Sequence, residues 1–455
     1  MTYRSINPFT EEVLAEFEEH TPEQVDAILA GADQTYRTAW STVPFAERGR
    51  IVGRAGDLLQ ERRDSFARLA TEEMGKRYSE ALFEVDACVS ILHYFAERAE
   101  SILATRELEV AEGTSRIEAR PLGVVFCIEP WNFPYIQLAR VAAPIMMAGN
   151  TVVMKHSSSV PQCALAFEQL FFDAGAPVGL YTNVFLTADQ SAAVIEDPRV
   201  QAVSLTGSER AGASVGAAAG RAMKRVTLEL GGSDAFIVLA DADLGLAVDL
   251  AVGSRMMNTG QACGGSKRFI AVGSVYDEFA RRFADRLAAL TPGDPLLDST
   301  GVGPIVSKAA LEQIEAQIAD ATSNGATIVT GGHRIDRSGF FIEPTLLADI
   351  APDNPVYYQE LFAPVGMLFR VDDDEEAVRV ANDSPYGLGS SVVSRDLAHA
   401  ERVGAEIESG MVFINHLPDT APNQPWGGIK RSGYGRELSD LGIGEFVNWK
   451  LVRAG

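Results

Sequence analysis

The run Asn258-Thr259-Gly260-Gln261-Ala262-Cys263 uses small and flexible residues to bring one thiol to the end of a helical or loop segment. As a thiolate, such a group adds readily to an electrophilic carbon. With no charged residue in the run, the same cysteine taken alone fits an inert core position, since free cysteines are among the most buried residues. A carboxylate stands alone in Leu228-Glu229-Leu230-Gly231-Gly232, at the end of an apolar strand. A buried, unpaired glutamate has a raised pKa, which is what a general base near neutrality needs, whereas a capping or salt-bridged glutamate needs nothing of the kind.

In Glu129-Pro130-Trp131-Asn132-Phe133-Pro134, two prolines stiffen the backbone around an amide that can donate to a developing oxyanion, or around a turn that is merely rigid. Two strand ends offer phosphate contacts. One is Thr206-Gly207-Ser208-Glu209-Arg210-Ala211-Gly212, where glycine and hydroxyl at a strand-to-helix junction present N–H groups; the other is Thr151-Val152-Val153-Met154-Lys155, whose lysine can reach ribose or phosphate. The dinucleotide fingerprint G-x-G-x-x-G is absent, and an isolated G-x-x-x-x-G is also a common turn.

The elements that must position these groups follow from periodicity. Over residues 22–106 apolar side chains recur at three and four, as at Ile51, Ala55, Leu58 and Leu59, which predicts a helical layer. Alternation on both sides of Gly113-Thr114-Ser115 predicts a β-hairpin over 107–119. From Pro121 the runs 124–128, 139–147, 151–154, 163–172, 184–186 and 203–205 alternate between strand and helix lengths, and strands recur at 235–238, 268–272, 327–329, 366–369, 389–393 and 411–414. Such β-α-β alternation predicts parallel sheets with helices on their faces, in two α/β domains.

A chain of 455 residues exceeds what one core usually supports. The net charge of −23 opposes binding to nucleic acid or to an anionic membrane. Seven lysines among 39 basic residues fit either a GC-rich genome or a high-salt host. No apolar run is long enough to span a membrane and the N-terminus lacks a signal pattern, so a cytoplasmic protein is expected. Four cysteines are too sparse for a disulfide framework and show no metal spacing, so no metal site is expected.

Taken in order, Pro-Trp-Asn-Phe-Pro, the lysine-ended strand, Thr-Gly-Ser, Glu-Leu-Gly-Gly, Gly-Gln-x-Cys, Glu360-Leu361-Phe362-Ala363-Pro364 and Pro425-Trp426-Gly427-Gly428-Ile429-Lys430-Arg431-Ser432-Gly433 resemble the aldehyde dehydrogenase superfamily over nearly the whole chain. The step from Glu229 to Cys263 also matches that family's base-to-nucleophile step. The resemblance implies a Rossmann-like cofactor domain (1–106 and 123–231), a catalytic α/β domain (232–430), and an oligomerisation arm (107–122 and 431–455) serving a homodimer or homotetramer. It also implies Cys263 as nucleophile, Glu229 as base for the deacylating water, and Asn132 with the Cys263 N–H as oxyanion donors. The implied NAD or NADP contacts are Trp131, Lys155, Ser158, Gly207, Ser208, Gly212, Leu230, Glu360 and Phe362.

Three departures bear on specificity. Ser158 stands three residues after Lys155, where NAD-preferring members often carry a glutamate, so a carboxylate that would repel the 2′-phosphate of NADP is missing. Ala363 replaces the usual glycine of its motif, and Gly264-Gly265 follow the cysteine. The chain looks most similar to the compact bacterial succinate-semialdehyde dehydrogenase branch, in which Arg140 would capture the distal carboxylate of the substrate in bidentate fashion; an ordinary structural ion pair is the competing reading. A second substrate arginine of some members is replaced by Met257, and Thr420 with Ala421 is expected at the substrate mouth. Glutarate semialdehyde, a neutral aldehyde, CoA-acylating chemistry, a hydrolase using Cys263 without oxidation, and a binding protein without turnover are the alternatives.

Overall fold

The computed structural model describes residues 3–455. Strands β1 (Tyr3–Ile6) and β2 (Val13–Phe17) pair as an antiparallel hairpin that the periodicity of the sequence does not announce. The expected helical layer follows as α1 (Pro22–Thr35), α2 (Phe45–Glu61), α3 (Arg63–Met74) and α4 (Tyr78–Ile102). Helix α1 opens on a capping box in which Thr21 accepts from the Gln24 N–H while Gln24 accepts from the Thr21 N–H. The apolar stripe of α2, including Ile51, Ala55, Leu58 and Leu59, is buried.

The predicted hairpin is β3 (Arg106–Leu108) with β4 (Thr114–Pro121). Then come β5 (Val124–Glu129), α5 (Ile136–Met147), β6 (Thr151–His156), α6 (Pro161–Asp173), β7 (Tyr181–Asn183), α7 (Ala188–Glu196), β8 (Val200–Thr206), α8 (Glu209–Arg221) and β9 (Arg225–Glu229). Strands β5 to β9 lie parallel in the order β9-β8-β5-β6-β7. Alternate residues of β5 serve different cores: Val125 and Cys127 face the helical layer, Val124 and Phe126 the opposite side. A strand buried on both faces needs a continuous apolar run, and 124–128 supplies one.

One expected strand is displaced. Residues 184–186 are buried but run as coil, and the strand falls at Tyr181–Asn183. The Val184 N–H still donates to the Met154 carbonyl of β6, but at Leu186 the Tyr3 hydroxyl takes over, accepting from the Leu186 N–H and donating to the Leu186 carbonyl. An apolar run thus reports burial, and the N-terminal hairpin decides its partner.

The second half comprises β10 (Ala235–Val238), α9 (Leu244–Met256), β11 (Arg268–Val272), α10 (Gly273–Ala288), α11 (Lys308–Ser323), β12 (Thr327–Thr330), β13 (Thr345–Ala348), β14 (Val365–Val371), α12 (Asp374–Asn382), β15 (Tyr386–Gly387), β16 (Gly389–Val393), α13 (Leu397–Ala405) and β17 (Met411–Ile414). Its seven-stranded sheet has the order β12-β13-β14-β11-β10-β16-β17, with only β12 antiparallel to its neighbour. Strand β13 went unread in the sequence.

The C-terminal segment divides among three places. After β18 (Ile429–Lys430), β19 (Gly433–Tyr434) joins the edge of β9, α14 (Ser439–Gly444) packs near α5, and only β20 (Val447–Ala454) pairs with β4. The sheet that holds the hairpin is β20-β4-β3, and of residues 431–446, expected with it, β19 extends the first sheet and α14 lies against α5. The cause is local: β9 has a free edge beside the site, and the Leu230 N–H donates to the Ser432 carbonyl there.

A buried ion pair anchors the layer beneath the site. Lys76 pairs with Glu84 of α4, both almost fully buried, and the ammonium also lies 3.8 Å from the centre of the Phe133 ring. The other Glu84 oxygen accepts from the N–H groups of Tyr135 (2.7 Å) and Ile136 (3.1 Å), fixing the start of α5. Breaking a buried pair strands its partner, so Glu84→Ala should lose about 3–5 kcal/mol of stability. A chemical-denaturation midpoint indistinguishable from wild type would count against this anchor.

Candidate active site

Four strand ends of the first sheet converge. In the pairing register Ile128 stands beside both Lys155 and Leu205, and Thr206 stands beside Glu229. The chain order reverses between β5 and β8, and in open α/β sheets the crevice at such a point, outside the carboxyl ends, is where ligands bind. A cleft of about 550 Å³ lies there. It brings together nine of the residues singled out in the sequence: Trp131, Asn132, Gly207, Ser208, Glu229, Leu230, Cys263, Glu360 and Phe362.

Its walls suit a dinucleotide. Helix α8 starts at the cleft, with Ser208 capping it by accepting from the Ala211 N–H, so the positive end of the helix faces the opening. At Gly207 a Cβ would meet nothing nearer than 3.8 Å, which leaves the backbone approachable. Trp131 and Phe362 meet edge to face, with ring centres 5.8 Å apart.

Three expected cofactor residues do not line this cleft. Gly212 is buried, and a Cβ there would come within 2.6 Å of the Leu230 side chain, so its smallness serves the packing of α8. Lys155 is half-buried at the end of β6, with its ammonium 5.7 Å from the centre of the Tyr3 ring; burial lowers its pKa and Glu19 opposes that. Ser158 is exposed just beyond the same strand.

The thiol reaches the cleft through a strained turn. After α9, Asn258 (φ 51°) and Thr259 (φ 56°) are left-handed, unusual for a non-glycine residue and strained for the β-branched threonine. Side-chain amides hold the turn: Asn258 donates to the carbonyls of Asn132 (2.7 Å) and Gln261 (3.1 Å), and Asn132 donates to Gln261 (3.1 Å). Arg255 donates to the carbonyls of Ser266 and Gly260. Lys267 donates to those of Ala262 (2.8 Å) and Cys263. The two glycines after the thiol are a steric requirement, since a Cβ at Gly264 would sit 2.8 Å from the Trp426 ring and one at Gly265 3.0 Å from the Ser254 carbonyl.

Cys263 also lines a second cavity, of about 200 Å³, with Phe83, Phe133, Met257, Leu417, Arg140 and Thr420 among its walls. The thiol thus stands where the two cavities meet. It touches the cavity edge yet is desolvated enough that burial pushes its pKa up to about 11, with Lys267 and Arg140 pulling it down. Burial likewise raises Glu229 well above the ordinary carboxylate range, Glu437 adding to the effect, and neither Glu229 oxygen has a hydrogen-bond partner.

Arg140 is not a free guanidinium. It pairs with Glu437 at 2.7 Å, both side chains being nearly fully buried, and it lies 4.7 Å over the Trp426 ring. Glu437 in turn accepts from the Thr206 hydroxyl at 3.3 Å. The ion pair set against a substrate clamp in the sequence is present, although Arg140 still forms part of the cavity wall.

Reading the sequence missed Lys267, Glu437 and Arg255. The thiol was taken to lack charged neighbours, whereas Lys267, four residues on, bonds its carbonyl. A lysine so close to the cysteine in a lysine-poor chain was the available signal. Nothing local marks Glu437, whose partners Arg140 and Thr206 are 297 and 231 residues away in sequence.

The description "Aldehyde dehydrogenase family" matches residues 1–452. This chain belongs to the aldehyde dehydrogenase family. Similar curated relatives include a succinate-semialdehyde dehydrogenase [NADP(+)] of Deinococcus radiodurans, 48% identical over 452 residues covering 99% of this chain and 94% of the relative. A probable succinate-semialdehyde dehydrogenase [NADP(+)] of Synechocystis is 44% identical, covering 99% of each. Among solved structures, succinic semialdehyde dehydrogenase from Streptococcus pyogenes in complex with NADP+ superposes with a TM-score of 0.97 at 43% identity, over 99% of both chains. The α/β aldehyde dehydrogenase fold is thereby established, and among the described residues of this dehydrogenase no helix is long and apolar enough to cross a membrane.

A thiol this desolvated should be slow to alkylate in the cofactor-free dehydrogenase. Labelling of Cys263 by iodoacetamide should still be climbing at pH 10, because the thiolate is the reacting form and its pKa lies near 11. A labelling rate that levels off below pH 8 would contradict the desolvated thiol.

Proposed function

We propose that this aldehyde dehydrogenase oxidises succinate semialdehyde to succinate with NADP or NAD as hydride acceptor, through a thioester on Cys263. The observation that carries the reading is the thiol at the junction of two cavities, one suited to a dinucleotide and one small enough for a short aldehyde. Arg140 in the wall of the smaller cavity and the resemblance to NADP(+) succinate-semialdehyde dehydrogenases support the substrate.

The nicotinamide cofactor supplies the hydride acceptor. Gly207 and Ser208 at the start of α8 would hold its pyrophosphate, Glu360 the nicotinamide ribose, and Trp131, Leu230 and Phe362 the nicotinamide side, while Lys155, outside the cleft at the end of β6, would meet the adenosine ribose only where the dinucleotide extends beyond the cleft. Ser158 places no carboxylate near a 2′-phosphate, which favours NADP over a strict NAD enzyme.

The Cys263 thiol gives its proton to solvent and attacks the aldehyde carbon as the thiolate, and the oxyanion is held by the Cys263 N–H and the second amide hydrogen of Asn132, whose first is already given to the Gln261 carbonyl. Loss of hydride from the carbon leaves a thioester. Glu229, buried and without a hydrogen-bond partner, takes a proton from water, which attacks the thioester and releases the acid and the thiol. A base poised in this way favours water over CoA as the second acceptor.

The Arg140–Glu437 pair supports a second reading, oxidation of a neutral aldehyde, in which Arg140 only shapes the cavity. Glutarate semialdehyde would test the reach of the same clamp. We also assign residues 1–106 and 123–231 to cofactor binding and 232–430 to catalysis, and infer a homodimer or homotetramer built through the arm, where Leu108 and Leu451 are exposed on β-strands that a partner would cover. Four free cysteines fit a cytoplasmic location.

Two outcomes test the chemistry and the substrate. Glu229→Gln should keep a burst of reduced cofactor while lowering steady turnover by about 10²- to 10⁴-fold, since only deacylation needs the base; equal loss of burst and turnover would place Glu229 elsewhere in the cycle. Arg140→Ala should raise KM for succinate semialdehyde by about 10- to 100-fold, the worth of a charged hydrogen-bonded pair, and leave acetaldehyde turnover within about threefold. A parallel loss with both aldehydes would make Arg140 structural and favour the neutral-aldehyde reading.

A further inference from the structure

Lys267 is buried completely, and the reaction as described makes no use of it. Its backbone is stitched into the second sheet, its N–H donating to the Asp234 carbonyl (3.0 Å) and its carbonyl accepting from the Met367 N–H (2.8 Å). From that fixed base the ammonium reaches back over four residues to the carbonyls of Ala262 (2.8 Å) and Cys263, and it pairs with Glu360 at 3.1 Å.

The Ala262 carbonyl and the Cys263 N–H are two ends of one peptide group. An ammonium bonded to that oxygen draws electron density from the amide and strengthens its N–H as a donor, an effect that low dielectric enlarges. We propose that Lys267 is a positioning residue of the oxyanion hole, holding and polarising the Ala262–Cys263 peptide so that its N–H is aimed and strengthened for the anion that forms on the aldehyde oxygen. This rests on the reading of the Cys263 N–H as an oxyanion donor.

Such a group must be rigid and charged, and the structure supplies both. Two carbonyl bonds and an ion pair hold the ammonium in place, so the peptide is fixed before any aldehyde arrives. The charges facing the ammonium and the thiol are Asp234 after β9, Glu360 before β14, Arg255 on α9 and Arg140 on α5, with Glu229 across the cleft and His416 and Asp419 at the cavity rim. Glu360 is the one in direct contact with Lys267, and its other bond is from the Gly232 N–H at 3.2 Å. Neutralising Glu360 therefore leaves the ammonium in place with its field less compensated.

The test uses the full-length enzyme as wild type, Lys267→Met, Lys267→Arg and Glu360→Gln, with two readouts. In cofactor-saturated single turnovers on succinate semialdehyde and on acetaldehyde, Lys267→Met should slow the hydride burst by about 10- to 100-fold, less than loss of a whole oxyanion donor costs. Aldehyde KM should move less than about threefold, because the polarised donor acts on the anion rather than on the ground state. Lys267→Arg should recover part of the burst. In cofactor-free enzyme, the pH profile of iodoacetamide labelling, which reads Cys263 because Cys88, Cys127 and Cys163 are buried, should move upward in Lys267→Met and downward in Glu360→Gln.

A burst and a labelling profile both unchanged in folded Lys267→Met would overturn the proposal, as would loss of stability with an unchanged profile. If Lys267→Met does not fold, the Glu360→Gln profile decides, and an unmoved profile there also overturns it. Failure of the wild type to oxidise any aldehyde would defeat the proposed function instead, with the labelling profiles still reporting on Lys267.

Discussion

The carbonyl of Gln261 joins the two halves of this dehydrogenase. It accepts one amide hydrogen bond from Asn132, which follows the central strand of the first sheet, and another from Asn258, which precedes the thiol in the second half. The Asn258 amide also bonds the Asn132 carbonyl, so two bonds, Asn132 to Gln261 and Asn258 to Asn132, close the two loops against each other. In the reaction we propose, the Asn132 amide and the Cys263 thiol must hold their distance to a fraction of an ångström to act on one carbonyl. Here that distance is set across a seam between two sheets, and the left-handed turn at Asn258 and Thr259 is tolerated because those bonds require it.

Around this seam the protein concentrates buried charge in pairs. Lys76 with Glu84, Lys267 with Glu360 and Arg140 with Glu437 each place a cation against a carboxylate, and each pair spends further bonds or ring contacts on a loop at the site. Lys76 and Glu84 hold Phe133 and the start of α5, Lys267 holds the peptide before Cys263, and Arg140 and Glu437 join α5 to Trp426 and Thr206. Buried pairs of this kind contribute less to net stability than apolar residues of equal volume, so their worth lies in fixing geometry. Glu229, by contrast, is left without a partner, which keeps a carboxyl available to exchange a proton.

Departures from the family pattern acquire physical reasons in this setting. Gly264 and Gly265 are small because Trp426 and the Ser254 carbonyl leave no room for a Cβ. Gly260 is left-handed (φ 73°), and a Cβ there would fall 2.2 Å from the Ala363 carbonyl; the loop of Glu360 and Phe362 is thus pressed against the nucleophile turn, and Ala363 is fully accommodated in that contact.

The sequence alone determined what depends on short-range order. Runs such as 124–128 and 235–238 are apolar throughout because strands buried on both faces must be, and the stripe on α2 is helical because its spacing admits nothing else. The thiol, the lone glutamate and the proline-bracketed asparagine stood out as candidates, but each motif alone also fitted an inert role, and it was their order along the chain, resembling aldehyde dehydrogenases, that singled them out. What only the tertiary structure decided involves partners far apart in the chain. Periodicity carries no information about which buried run finds a neighbouring strand, so 184–186 became coil under Tyr3 and residues 433–434 closed the edge of β9. The same holds for charge: the pairing of Arg140 with Glu437 and the reach of Lys267 to Glu360 arise from where the two sheets meet, and no local pattern encodes a contact that burial makes obligatory only after the chain has folded.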